Sequence, residues 1–388
     1  MNDQDRPALL PSGLRDVLPP AAAQEAEAVE RLIGLFELNG YERVKAPLVE
    51  FEEGLLSGAG AATASETFRL MDPVSQRMMG VRADITPQIA RIAASRLRDA
   101  PRPLRLCYAG DVLRINGTHL RPERQFTQVG MELIGSDSPR ADAEIVVLAA
   151  EALSRAGVAD ITVDLTMPPL APSLCAAHGR LLEDDPGLRE AIDHKDAASL
   201  AAVGGGLADA LNALLAAAGP AESCFEALAA LDLPPGPAAA RGQLGEAIAE
   251  IRASAPGLRL TADPLENRGF EYHTGTCFTI FPAGVRGELA SGGRYVTGAN
   301  GNGAGGELAT GITLYVDTVL RSLPAPGPMR RVFLPAGTAP ETGRALRAEG
   351  WITVAGLGPA GSAADEARRL GCTHRCDAGK VVKIGGAG

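Results

Sequence analysis

Long apolar runs and an export signal are both missing from this sequence. No stretch of about eighteen consecutive apolar residues is present, which is the length that a membrane-spanning helix requires. Residues 1–12 carry no apolar segment behind a basic head, so a secretory signal is not expected. We therefore expect a cytoplasmic protein with no membrane partner.

Cysteine pairs with metal-binding spacing are missing as well. The six cysteines are scattered, and none belongs to a C-x-x-C pair. Cys372 and Cys376 flank His374, but no second cluster completes a tetrahedral zinc site. We predict reduced, mostly buried thiols, with neither a metal nor another cofactor.

Lysine is scarce, and the formal net charge is −10. Proteins that grip RNA neutralise its phosphates with clustered lysine and arginine, so this balance argues against tRNA as a partner. Together with abundant alanine and glycine, the preference for arginine indicates a GC-rich genome rather than a function. The lysines are Lys45, Lys195, Lys380 and Lys383.

What is present is the composition of a folded globular protein. Hydrophobic residues make up 46% and charged residues 22% of the chain, which argues against disorder. A length of 388 residues suits two or three domains with a substantial core.

The first part of the chain carries clear helix and strand patterns. Residues 21–38 place apolar side chains at helical spacing, and Gly40 marks the end of that helix. Residues 41–48 read as a strand, and Thr86 and Pro87 open a second helix as its N-cap and first residue. Residues 104–113 and 125–134 are β-rich on either side of a polar loop, which predicts a long hairpin.

The remaining elements define the predicted domains. Strands are predicted at 160–165, 270–281 and 307–316, whereas residues 170–255 are rich in alanine and leucine and read as a helical subdomain or a set of connecting helices. Residues 330–388 alternate short strands and helices. We therefore divide the chain into a core of residues 1–323, with a helical insertion at about 170–255, and a small C-terminal domain of residues 330–388.

Several motifs in chain order carry a family resemblance. Residues 10–20 read L-P-S-G-L-R-D-V-L-P-P, residues 268–275 read R-G-F-E-Y-H-T-G, residues 291–295 read S-G-G-R-Y, and residues 309–316 read A-T-G-I-T-L-Y-V. Together with the segments 104–114 and 124–132, they make residues 10–320 resemble the core of class II aminoacyl-tRNA synthetases in their histidyl branch. The resemblance implies an α+β fold, with a class II synthetase-like antiparallel sheet, flanking helices, a helical insertion and a small C-terminal α/β appendage.

The same resemblance implies a histidine site. Histidine presents an ammonium, a carboxylate and an imidazole, for which an acid or amide, an arginine and a polar ring partner are suitable. Gln128 and Glu132 are four residues apart on a predicted strand, so their side chains point to one face. The histidine-binding residues carried over from the family are Asp84, Thr86, Arg114, Gln128, Glu132, Arg268, Tyr272 and His273.

Other positions depart from the synthetase pattern. Asn116 stands where the family has an acidic nucleotide contact, and Thr313 and Leu314 replace the acidic–arginine pair of the third motif. Adenylation needs fixed positive charge where negative charge develops, so we expect no catalytic residues here. The chain is more similar to the non-catalytic paralogues of these enzymes, the regulatory subunits of ATP phosphoribosyltransferase.

That family implies a function and partners. Its members form a dimer within a hetero-oligomer, a hetero-octamer, with a short catalytic phosphoribosyltransferase chain, and they mediate feedback inhibition of histidine biosynthesis by L-histidine. One alternative is a divergent active histidyl-tRNA synthetase in which another arginine, such as Arg321, does the work lost at Leu314. Another is a binding module of a different pathway, or a structural pseudo-enzyme with no histidine affinity.

Overall fold

The computed structural model describes residues 10–118, 121–266, 272–297, 306–324, 329–358 and 361–384. The chain divides into two units, Met1–Pro324 and Ala325–Gly388. Among the helices of the described residues, none combines the length and the hydropathy that crossing a bilayer requires. All six cysteines are buried and unpaired, as the sequence predicts.

The first unit mixes helices with strands. Its helices are α1 (Ala21–Leu38), α2 (Glu52–Leu55), α3 (Thr86–Ser95), α4 (Pro139–Ala156), α5 (Leu170–Ala177), α6 (Pro186–Asp193), α7 (Ala197–Ala202), α8 (Gly205–Ala217), α9 (Ala221–Ala229), α10 (Pro235–Ser254) and α11 (Val316–Ser322). Its strands are β1 (Glu42–Arg43), β2 (Val49–Phe51), β3 (Arg69–Met71), β4 (Met78–Val81), β5 (Leu104–Leu113), β6 (Gln125–Ile134), β7 (Ile161–Thr166), β8 (Gly219–Pro220), β9 (Arg259–Asp263), β10 (Cys277–Pro282), β11 (Ala290–Val296) and β12 (Leu308–Tyr315).

A nine-stranded sheet organises this unit, in the order β1-β5-β6-β12-β11-β10-β7-β9-β8. From β5 across to β7 every neighbouring pair is antiparallel, whereas β1 pairs with β5, and β7 pairs with β9, in parallel. The strands β2, β4 and β3 form a second, smaller sheet. The predicted fold class, an antiparallel sheet with flanking helices, is confirmed.

The two faces of the large sheet have different roles, because successive residues of a strand point to opposite sides. On one face, side chains such as Met131 and Ile312 join a large apolar core that also includes residues of α1 and α4. On the other face, β6 carries the buried polar side chains of Gln128 and Glu132. The first face supplies the larger hydrophobic core, and the second combines a smaller apolar cluster, packed against α3, with these buried polar side chains.

The helical insertion belongs to that apolar core. Residues 170–255 fold as the helices α5 to α10, with the short strand β8 between α8 and α9. Leu174, Leu211 and Leu244 are fully buried and pack in the same cluster as the sheet residues. The insertion is therefore a set of helices that extends the core of the first unit.

Several predicted elements are confirmed at their predicted bounds. These are the helix at 21–38, which ends before Gly40 in the left-handed region at φ +83°, and the hairpin strands at 104–113 and 125–134. The strand predicted at 41–48 is wrong beyond Arg43. Carbonyls that a strand would have used are bound by side chains instead, since Arg82 Nη1 donates to Ala46 at 3.1 Å and Gln88 Nε2 donates to Pro47 at 2.7 Å.

Two further boundaries differ from prediction. Helix α3 begins at Thr86 itself, one residue earlier than predicted, because the Thr86 hydroxyl bonds to Glu132 rather than capping the helix. The strand predicted at 270–281 is observed at Cys277–Pro282, and residues 270 and 271 lie outside the described residues. Helix α4 was not predicted, although Ser138 caps its start and Gly157, at φ +106°, ends it.

The second unit is a small α/β domain. Its strands are β13 (Arg331–Leu334), β14 (Ile352–Ala355), β15 (His374–Asp377) and β16 (Lys380–Lys383), and its helices are α12 (Pro340–Ala348) and α13 (Ala363–Arg369). The strand order is β14-β13-β15-β16, with β15 and β16 antiparallel. Strand β15 was not predicted, since its sequence, H-R-C-D, has little apolar character.

A buried ion pair fixes β11 to the start of α4. Arg294 donates to Asp142 Oδ2 at 2.9 and 3.1 Å and to the carbonyls of Ser136 and Ser138 at 2.9 Å each. The side chains of Arg294 and Asp142 are only 10% and 4% exposed. Burial raises the pKa of the Asp142 carboxyl, and the Arg294 charge counteracts that rise.

Replacing Arg294 by methionine should destabilise the first unit by about 3–5 kcal/mol, because it leaves the Asp142 carboxylate buried without a partner. The measurement is urea unfolding followed by far-ultraviolet circular dichroism. The single tryptophan, Trp351, lies in the second unit and gives a fluorescence signal for that unit.

The matched control is Arg259→Met. The side chains of Arg259 and its partner Asp160 are 60% and 73% exposed, so losing this ion pair should cost less than about 1 kcal/mol. Equal effects of the two substitutions would contradict the role of the buried pair.

Candidate functional site

A cavity of about 560 Å³ opens on the polar face of the large sheet. Its lining comes from the start of α3 and from strands β7, β10, β11 and β12. A narrower recess continues inward between Thr86, Tyr272, Tyr295 and Gly311, and Glu132 lies in its wall. A pocket of this size suits a small polar ligand.

The carboxyl group of Glu132 is the most deeply buried acid of this recess, at 1% exposure. Three hydroxyl groups surround it. Tyr295 Oη donates to Oε2 at 2.9 Å, while Thr86 Oγ1 and Tyr108 Oη donate to Oε1 at 3.2 and 3.3 Å. These donors satisfy the carboxyl oxygens inside the protein, as burial of such a group requires.

Gly311 makes room for this carboxyl group. Glu132 and Gly311 are cross-strand partners in the β6–β12 pair. A Cβ atom at position 311 would stand 1.7 Å from Glu132 Oε2, so no other residue fits while the carboxyl keeps its place. The glycine of the third motif is therefore required by sterics.

Burial also changes the acidity of Glu132. Desolvation raises the pKa of its carboxyl from the ordinary 4.5 to about 8, and the negative charge of Asp84 acts in the same direction. The hydrogen bonds from the hydroxyl groups oppose this rise. At neutral pH this raised pKa favours the protonated form of Glu132.

A second acid, Asp84, lies at the start of α3. Its Oδ1 accepts a hydrogen bond from the backbone N–H of Thr86 at 2.9 Å, and its Oδ2 accepts one from Gln128 Nε2 at 2.8 Å. Gln128 Oε1 in turn accepts the N–H of Ile85 at 3.1 Å. Gln128 is fully buried beneath Asp84 and orients it, whereas Asp84 and Thr86 line the cavity.

The other predicted site residues fall into two groups. Arg114, Tyr272 and His273 line the cavity. The rings of Tyr272 and His273 lie 3.9 Å apart, and Tyr272 meets Tyr295 edge to face at 6.3 Å. Arg268 lies outside the described residues. The structure thus gathers Asp84, Thr86, Arg114, Gln128, Glu132, Tyr272 and His273 into one site.

The described lining of the cavity is predominantly acidic. Arg114 lies 3.3 Å from Glu66, and Arg121 lies 3.7 Å from Glu288. Among the described residues, Asp84 and Asp164 have no ion-pair partner, and both line the cavity. The charge of this cavity complements an ammonium or imidazolium group rather than a chain of phosphates.

Strand β12 carries most of the third motif, residues 309–316, and it presents other residues to the cavity than the sequence suggested. Leu314 is fully buried in the apolar core on the opposite face, because it follows Thr313 on the strand. Thr313 and Tyr315 face the cavity instead. The guanidinium of Arg121 lies 3.9 Å from the centre of the Tyr315 ring and donates to Asp317 at 3.2 Å. An arginine at position 314 would thus enter the core unless the strand shifted.

Three site residues were not predicted. Tyr108 and Tyr295 bind Glu132, and Thr313 bonds to Tyr108 Oη at 2.8 Å. The alternation of β5 would have placed Tyr108 on the same face as its neighbours at even positions, but no sequence pattern shows which strand pairs with which. Tyr295 is the last residue of the S-G-G-R-Y motif, and its place in that motif was the available signal.

Comparisons with known proteins identify the family. The family model described as Histidyl-tRNA synthetase matches residues 13–319. The chain is 54% identical to the ATP phosphoribosyltransferase regulatory subunit of Paramagnetospirillum magneticum over 99% of this chain and 100% of that one. It is 55% identical to the protein of the same name from Rhodospirillum centenum, over 97% and 96% of the two chains.

A solved structure supports the fold. The chain is similar to an ATP phosphoribosyltransferase regulatory subunit/histidyl-tRNA synthetase from Bacillus halodurans C, with a TM-score of 0.79 and 24% identity. The match covers 93% of this chain and 96% of that one. This likeness shows that the two chains share a fold.

The buried carboxyl should make stability depend on pH. Because the folded-state pKa of Glu132 is raised to about 8, the folded chain keeps a proton that the unfolded chain releases above about 4.5. The contribution of Glu132 to stability is therefore full below pH about 4.5 and is lost as the pH rises to about 8, at about 1.4 kcal/mol per unit.

Glu132→Gln removes the titrating group and keeps the shape. The free energy of unfolding of the native chain, relative to this variant, should fall by several kcal/mol between pH 5 and pH 8. Parallel stability curves for the two proteins over that range would show that Glu132 does not titrate in the folded chain.

Proposed function

The chain belongs to the family of ATP phosphoribosyltransferase regulatory subunits, which have the histidyl-tRNA synthetase fold, and from this membership we propose that it binds L-histidine and transmits feedback inhibition to a short catalytic chain. In this proposal the chain itself is non-catalytic. The observation that carries it is the pairing of two acids in one cavity, Asp84 at the mouth and Glu132 in the recess.

The shape and chemistry of the site suit histidine. Tyr272, Tyr295 and His273 line the recess beside the cavity, and their rings provide flat contact surfaces for an imidazole at the junction of the two. The ring would meet Glu132, the ammonium would meet Asp84, and the carboxylate would meet Arg114. Each of the three polar groups of the ligand would thus have a partner of the right kind, which is how a buried site rejects analogues that lack one of them.

The protonated state of Glu132 fits a neutral imidazole. An imidazole side chain has an ordinary pKa near 6.5, so the ring of free histidine is mostly neutral at pH 7 to 8. The proton held by Glu132 can then serve the ring nitrogen, either as a hydrogen bond or as an ion pair after transfer. Binding in this range requires no net uptake of a proton for that contact.

The charge of the cavity supports a regulatory role over a catalytic one. Adenylation would bring a polyphosphate into this cavity, whose described lining includes Asp164, an acid without an ion-pair partner among the described residues, and the paired acids Glu266 and Glu288. Such carboxylates repel phosphates at close range. Arg321, the arginine that an active enzyme could have recruited, pairs with Asp317 at 3.2 Å and does not line the described cavity.

The proposal includes an assembly. The partner is a short-form ATP phosphoribosyltransferase chain, and the regulatory chain is a dimer within a hetero-octamer in the cytoplasm, without tRNA. Histidine can regulate only if it binds one state of the assembly better than another, with a coupling of about 1–3 kcal/mol. The first unit would hold the ligand in each subunit.

Asp84→Asn should raise the histidine concentration for half-maximal inhibition about 10- to 100-fold, because a charged hydrogen bond to the ligand ammonium contributes about 1.5–3 kcal/mol. The measurement is phosphoribosyl transfer by the reconstituted complex over a histidine titration, with calorimetry on the isolated chain. Co-elution with the catalytic chain shows that assembly persists.

The matched control is Asp160→Asn, an exposed acid at φ +51°, where asparagine is well tolerated. The histidine concentration for half-maximal inhibition of this variant should stay within about 2-fold of the native value, which is much less than the effect of losing a charged contact. Native sensitivity of the Asp84 variant would contradict the proposed site.

Pyrophosphate exchange tests the alternative of a divergent synthetase, which the histidyl-tRNA synthetase family model keeps open. The purified chain should catalyse no histidine-dependent exchange of pyrophosphate into ATP, because the cavity lacks arginine at the third-motif strand. Robust exchange would replace the regulatory assignment by an enzymatic one. Saturable binding of histidine without exchange would also separate the proposal from a module with no affinity for histidine.

A further inference from the structure

One lysine connects the helical insertion to the wall of the cavity. Lys195 Nζ donates to Asp263 and lies 3.0 Å from Glu266. Asp263 ends strand β9, and Glu266 lines the cavity three residues later. The lysine itself comes from the turn between α6 and α7, about 70 residues earlier in the chain. A single cation therefore bridges two distant segments at the site.

The backbone of Lys195 is held in an unusual conformation. Its φ is +54°, in the left-handed region that glycine and asparagine adopt more readily than lysine. The turn is fixed on both sides, since the Lys195 N–H donates to Ile192 and Asp196 caps α7. The fixed backbone therefore gives the Lys195 side chain a defined starting direction toward Asp263 and Glu266.

Asp263 and Glu266, the two carboxylates that bind Lys195, are connected to other residues that line the cavity. Asp263 pairs with Thr166 in the parallel β7–β9 ladder, and Asp263 Oδ1 accepts the N–H of Leu265 at 3.1 Å, which shapes the turn before Glu266. Two residues back along the same ladder, Thr261 donates to its partner Asp164. Thr166 and Asp164 both line the cavity. A displacement of the 263–266 turn would therefore move the cavity wall.

The electrostatics favour a lasting contact. Burial lowers the pKa of Lys195, but the hydrogen bonds to Asp263 and Glu266 outweigh it and raise the pKa overall, so the lysine stays charged at physiological pH. The Lys195 side chain is 31% exposed, and those of Asp263 and Glu266 are 16% and 20% exposed. A pair of this kind is screened less than the fully exposed pairs elsewhere on the chain.

We propose that Lys195 is a positioning residue that links the helical insertion to the histidine site by holding the 263–266 turn in place. The inference rests on the proposed histidine binding and adds a route by which occupancy of the cavity reaches the insertion. Because linkage is reciprocal, a change in the insertion would also alter the affinity for histidine.

The test uses the full chain and three variants. Lys195→Met removes the charge and keeps the aliphatic bulk, Lys195→Arg restores a cation for both carboxylates, and Lys380→Met is the control for loss of an exposed lysine in the second unit. Calorimetry measures the Kd for histidine, and amide hydrogen exchange measures protection in residues 186–202 and 259–266 with and without saturating histidine.

We expect the Kd of Lys195→Met to rise about 3- to 30-fold, the range for a residue that acts through its neighbours. In the native chain, histidine should slow exchange in both segments. In Lys195→Met at saturation, the slowing should persist in 259–266 and disappear in 186–202. Lys195→Arg should recover both effects, and Lys380→Met should match the native chain.

Native affinity together with native protection of 186–202 in Lys195→Met would overturn the inference. If the native chain shows no histidine binding, the proposed function fails by itself. Amide hydrogen exchange without ligand then tests separately whether Lys195 holds the 263–266 turn in place. Faster exchange of 259–266 in ligand-free Lys195→Met than in the native chain would then support the hold on the turn, and equal exchange would overturn it.

Discussion

A carboxyl group buried in the middle of a wide sheet is the constraint on which the rest of this structure depends. Glu132 can stay there only because three hydroxyl groups, from Thr86, Tyr108 and Tyr295, donate to it. Those donors come from a helix start and from two strands that are not adjacent to each other. The opposite strand must have a glycine, Gly311, because any side chain would collide with the carboxyl. The lining of the recess and the packing of the sheet centre are therefore the same arrangement.

The two faces of the sheet differ in what they bury, since the larger apolar core lies on one face and the buried polar groups lie beside a smaller apolar cluster on the other. The apolar face is covered by α1, α4 and the insertion, and this burial offsets the cost of the polar groups on the other face. Arg294 shows how closely the two are joined: it anchors β11 to α4 on the apolar side, and the next residue, Tyr295, binds Glu132 on the polar side. The insertion is likewise part of the core and, through Lys195, reaches the cavity wall.

The structure also changes the interpretation of the substitutions in the third motif (residues 309–316). The substituted arginine position, Leu314, faces the apolar core, so the character of the cavity is set by Thr313, Tyr315 and the surrounding acids. Arg121, the nearby cation, is stacked on Tyr315 and paired with Asp317. Selection of an amino acid and activation of its carboxylate need different charges at adjacent places. The two functions can therefore be separated by substitutions on the cavity side of a single strand.

The sequence by itself determined the elements with strong periodicity and the motifs that carry the family resemblance. The helix at 21–38, the hairpin of β5 and β6, and the polar residues at 84, 86, 128 and 132 could be found because local spacing encodes them. Only the tertiary structure decided that Tyr108 and Tyr295 complete the site, that Leu314 points away from it, and that Lys195 reaches it. Those facts depend on which strands pair and in which register, and contacts between residues far apart in the chain leave no local pattern in the sequence.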